Sequence, residues 1–119
     1  MNNVASFDMM ALAAAAKKAS EVISQLKDSR ENLDLSPIQS CGHMMRKLLT
    51  KEAAALSRLT VRDKDKLVFA VSEVDPDLNT ADKIRQFIGE VVGTTRNIAT
   101  VSDEKAIKRA HMFLSKLAS

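Results

Sequence analysis

Tryptophan and tyrosine are absent from this 119-residue chain, and its only aromatic residues are four phenylalanines. That scarcity argues against the stacking platforms on which single-strand nucleic-acid binders lay their bases. Cysteine occurs once, at Cys41, which excludes an internal disulfide framework and suits a reducing compartment. Three glycines and two prolines supply no glycine-rich phosphate loop, no nucleophile elbow and no low-complexity linker. The apolar run over 9–16 follows Asp8 rather than lysine or arginine, the wrong polarity for a secretory signal, and it is too short to cross a bilayer. These absences predict a cytoplasmic protein that does not enter a membrane.

Charge of one sign is also missing. The net charge of +3, from 18 basic and 15 acidic side chains, is spread almost evenly and leaves no basic arm or acidic tail. Hydrophobic residues make up 45% of the chain, enough at this length to fill the core of one domain over residues 1–119.

What the chain does carry is helical periodicity. Leu12, Ala19, Leu26 and Leu33 recur at intervals of seven, and Ala15, Ala16, Val22 and Ile23 fill the +3 and +4 places of the same stripe. The pattern predicts a long helix over 8–33, capped by Ser6 or Asp8, with Arg30 in the stripe where its end opens to solvent. Ser36, Pro37 and Gln39 then read as a serine cap, a proline in the first turn and a capping-box glutamine, starting a helix over 37–58. The short link from Leu33 to Pro37 implies a long N-terminal helical hairpin.

Thr60 and Asp63 repeat the cap pattern for a helix over 61–74. Its run from Leu67 to Val71 is apolar and β-branched enough for a strand, but the flanking period is helical and no partner strand lies nearby in sequence, so helix is expected. Asn79 or Thr80 caps a helix over 80–99, with Ile84, Phe87, Ile88 and Val91 inward. Gly93 either ends that helix or is crossed by it, because Thr95, Ile98 and Ala99 continue the stripe. A last helix over 103–118, capped by Ser102, completes an all-α, single-domain bundle of about five helices.

Few residues point to chemistry. Cys41 and His43, two positions apart on a helix, face different ways and lack the further ligands of a metal set, so Cys41 reads as a buried thiol and neither metal nor cofactor is expected. The paired carboxylates Asp63 and Asp65, and Asp75 and Asp77, stand at helix starts, where capping explains them. No enzyme is expected. Glu52 interrupts the apolar arc of the second helix, either as an ion pair opposite Lys18 and Ala19 or as a polar device that sets register or partner choice.

Two surfaces invite a partner. Lys105, Lys108, Arg109 and Lys116 share the outer face of the last helix, and Met112 lies among them. An adaptable thioether ringed by cations fits a protein contact better than plain exposure to water. Phe69 falls outside its helix's main stripe, beside Arg62, Lys66 and Glu73, so it is either covered by the long first helix or marks a second contact surface. Leu12, Ala19 and Leu26 form either an internal pairing or a homodimer seam, with Glu52 and Phe69 as further specificity positions. The expected function is therefore that of a non-enzymatic protein–protein interaction module, an adaptor, regulator or assembly subunit, whose partner is another protein or a second copy. The alternative is a nucleic-acid-binding regulator that adds Arg46, Lys47, Arg58 and Arg62 to the basic last helix. A helix-turn-helix built on the third and fourth helices is weaker, because Asp75, Asp77 and Asp82 surround Lys83, Arg85 and Gln86.

Overall fold

Asp8 begins the helical architecture of the computed structural model, which describes residues 7–26, 30–49 and 59–119. Its Oδ1 accepts the Ala11 amide at 3.0 Å and caps α1, Met9–Ile23. That helix stops well short of the expected 33. Ser20 Oγ donates to the Lys17 carbonyl at 2.9 Å and Ser24 Oγ to that of Glu21 at 2.6 Å, so hydroxyls compete for helix carbonyls. The amides of Gln25 and Leu26 then bond three residues back, tightening the chain into a turn. Leu26 and Leu33 keep the sevenfold spacing but lie beyond the helix. The connection from α1 to α2 consequently runs over 24–35, not the short Leu33–Pro37 link.

Helix α2, Ser36–Met45, has Leu35 rather than Ser36 as its cap residue. The Ser36 amide donates instead to Asp34 Oδ1 at 3.0 Å. Bonds from the Ser36 hydroxyl and amide hold the Asp34 carboxyl below its usual range. At Arg46 the backbone tightens into a 3₁₀ turn, Arg46–Leu49, so α2 does not continue unchanged towards 58; residues 50–58, Glu52 and Arg58 among them, lie outside the described residues.

Among the described residues, three further α-helices follow. Thr60 Oγ1 accepts the Asp63 amide at 3.1 Å and caps α3, Val61–Val74, through which the Leu67 to Val71 run is helical. Thr80 Oγ1 does the same for the Lys83 amide at 3.3 Å, opening α4, Ala81–Arg96, which crosses Gly93 and ends before 99. Asp103 caps α5, Glu104–Ala118: its Oδ1 accepts the amides of Lys105 and Ala106 at 3.0 and 3.3 Å, which corrects the expected Ser102 cap. Among the described residues the fold is all-α, with no strand.

Helices α1, α2, α4 and α5 close a ring in which each touches its two neighbours, and α3 rests on the side of α5. The buried faces meet in one cluster: Leu12, Ala16 and Ala19 of α1, Ile38, Cys41 and Met45 of α2, Phe87 and Ile88 of α4, and Phe113, Leu114 and Leu117 of α5. Phe87 and Phe113 pack edge to face, with centroids 5.3 Å apart and planes at 81°. The radius of gyration is 14.0 Å. A single globule of this length is expected near ~13.5 Å, so one core organises the chain.

Candidate interaction surface on the third and last helices

Each turn of α5 divides the same way. Ala110, Phe113, Leu114 and Leu117 are buried, and the opposite side carries Lys105, Lys108, Met112 and Lys116 in the open. Met112 is 37% exposed, so the sulfur-bearing chain is placed outside the core as the residue spacing implied. Arg109 sits lower. Its guanidinium lies over the Phe87 ring, 5.2 Å from the centroid, and 3.6 Å from Glu90 Oε2, joining α5 to α4. Lys116 reaches Glu73 Oε1 at 3.3 Å and joins α5 to α3.

The second pair brings two separate expectations together. Glu73 lies four residues after Phe69, and Lys116 four after Met112, so each carboxylate or ammonium shares a side of its helix with an exposed apolar neighbour. Phe69 is 52% exposed because α3 packs on α5, and the shortened α1 does not cover it. Lys66 Nζ also crosses to the carbonyl of Ser119 at 3.0 Å, which orders this face from its other end. Phe69 and Met112 therefore flank an ion pair on one continuous α3–α5 face. The acids Glu73 and Glu90 were not identifiable as partners in the sequence, since no local spacing links either to α5.

The seam residues are placed differently. Leu12 and Ala19 have no exposed surface and pack among the chain's own helices, while Leu26 is half-buried beyond the end of α1. Arg30 departs most from expectation. Instead of opening to solvent, its Nη1 donates to the carbonyls of Ile98, at 3.1 Å, and Val101.

Two clefts adjoin these elements. A groove of about 610 Å³ between α4 and α5 has Phe87 and Gly93 in its lining, with Glu90, Asp103, Lys105 and Arg109 at its edges. A smaller one of about 350 Å³ lies between the starts of α1 and α3, against Met9, Met10, Arg62 and Lys66. Cys41 is buried, and loss of solvation pushes its thiol up to about 12, where the reactive thiolate is scarce at neutral pH. His43 stands exposed on the other side of α2. Among the described residues no three His, Cys, Asp or Glu side chains group as a metal site, and no helix is long and apolar enough to cross a membrane. Comparison with protein-family models, curated proteins and solved structures finds no match.

Proposed function

We propose that this chain is a non-enzymatic interaction module, an adaptor, regulator or assembly subunit, that binds a protein through the joined α3–α5 face. The observation that carries the reading is the exposure of Phe69 and Met112 on either side of the Lys116–Glu73 pair. Large apolar side chains set among charges that already have partners form a small adhesive patch with a polar rim. The same pairing weighs against nucleic acid. Arg109 and Lys116 each have a carboxylate within 3.6 Å, so two of the four cations on this helix are partly neutralised before any phosphate arrives. A lone thiol held in the core suits a cytoplasmic location.

The test is affinity capture from native cell extract with the tagged full chain, run with nuclease and at low and high salt. A protein partner should survive both treatments and be lost when Phe69→Glu and Met112→Glu are combined, while circular dichroism stays unchanged. Capture that disappears with nuclease, or that falls log-linearly with ionic strength, would assign the face to nucleic acid instead.

A further inference from the structure

We infer that the occupant of this face is a second copy of the chain, docked with its α3 antiparallel to the first; the inference rests on the protein-binding reading above. Arg62, Lys66, Phe69 and Glu73 are spaced by four, three and four residues, so they lie on one side of α3. The order of chemistry along that side is basic, basic, aromatic, acidic. A two-fold axis makes residue i meet j and j meet i. Passing midway between Lys66 and Phe69, the axis sets Arg62 against the partner's Glu73 and the Lys66 stem against the partner's Phe69, and repeats both contacts at the other end. A parallel alignment would place like charge on like charge.

The groups are available for this. Arg62 makes no salt bridge to another described residue, and Glu73 uses Oε1 for Lys116, which leaves Oε2 for a second donor. From Arg62 to Glu73 the helix rises about 16 Å, long enough for the end pairs to bracket a shared apolar centre. Met112, on the far side of the Lys116–Glu73 pair, and Met10, 85% exposed and lining the cleft with Arg62, add apolar surface beside the two end pairs. Leu12 and Ala19, by contrast, offer a second copy no accessible surface.

Sedimentation of the untagged full chain from about 10 μM to about 1 mM should show a reversible dimer, since a patch this small supports only weak association. Phe69→Ala, which removes the ring without setting a new acid against the partner's Lys66, should weaken it at least about tenfold. Arg62→Glu alone places acid against acid at both ends, and Glu73→Lys alone places base against base, so each should be monomeric. Mixed in equal amounts they should dimerise, because every end pair in the mixed dimer is again of opposite sign. Circular dichroism of each variant checks that the helices persist, and where Glu73→Lys fails that check, Glu73→Gln, expected only to weaken the dimer, replaces it as the second variant. A native chain that stays monomeric to the highest concentration, a dimer indifferent to Phe69→Ala, or folded single variants whose mixture stays monomeric would overturn the inference. Partner capture lost on changing Phe69 and Met112 in a monomeric chain would leave the broader reading standing, so the two failures are distinguishable.

Discussion

Gly42 sets how closely α2 and α4 approach. A methyl group there would stand 3.0 Å from Thr95 Cβ and closer still to the Thr95 hydroxyl. Thr95 has no exposed surface, and its Oγ1 donates to the Val92 carbonyl at 3.0 Å, so turning the side chain away would orphan a buried hydroxyl. Gly42→Ala should therefore destabilise the protein by about 1–3 kcal/mol, the range for overfilling a packed contact, despite alanine's better helix propensity. Thr95→Ala removes the obstructing oxygen. The double variant should be more stable than the sum of the two single effects predicts, and urea unfolding of all four proteins measures that coupling.

At the scale of an element, α4 reverses the sign of the same substitution. Gly93 lies within Ala81–Arg96, and a Cβ built there meets nothing within 4 Å. Gly93→Ala should stabilise the protein by about 0.5–1 kcal/mol, by restricting the unfolded chain and favouring helix; an unchanged or lower urea midpoint would show that the groove beside it needs the missing side chain. Both glycines sit in helices, and only the distance to a neighbouring helix separates them, which no local pattern encodes. Other features were legible because their physics is local. The inward faces of α3, α4 and α5 follow from periodicity, and the Thr60 cap from a hydroxyl placed three residues before the amide it accepts, whereas between Asn79 and Thr80 the structure selects Thr80. The end of α1 was not legible, since the sevenfold spacing of Leu26 and Leu33 persists where Ser20 and Ser24 compete for the helix carbonyls. At α5, Ser102 and Asp103 are both good caps, and the choice depends on where the preceding turn delivers the chain. The candidate face divides likewise: Met112 and Phe69 were identifiable as apolar residues away from their stripes, whereas their meeting beside Glu73 and Lys116 depends on how α3 docks on α5.

Arg30 works across the whole molecule, joining the connection between α1 and α2 to the connection between α4 and α5. The carbonyls of Ile98 and Val101 that accept its Nη1 lie 68 and 71 residues away in sequence. A guanidinium at this place ties the two connections together on one side of the ring of four helices. Its removal leaves two carbonyls in partly buried surroundings without that donor, and a charged donor makes the stronger kind of hydrogen bond. Arg30→Ala should cost about 1–3 kcal/mol, with amide exchange rising in both connections at once although only one is altered. Arg30→Lys keeps the charge but replaces a planar fork by a compact ammonium, and should recover only part of the loss. Faster exchange confined to the α1–α2 connection would show that the contact does not couple the two halves. Faster exchange in residues 97–103 as well would show that the start of α5, and with it the position of Lys105 and Arg109, depends on a residue from the other half of the chain.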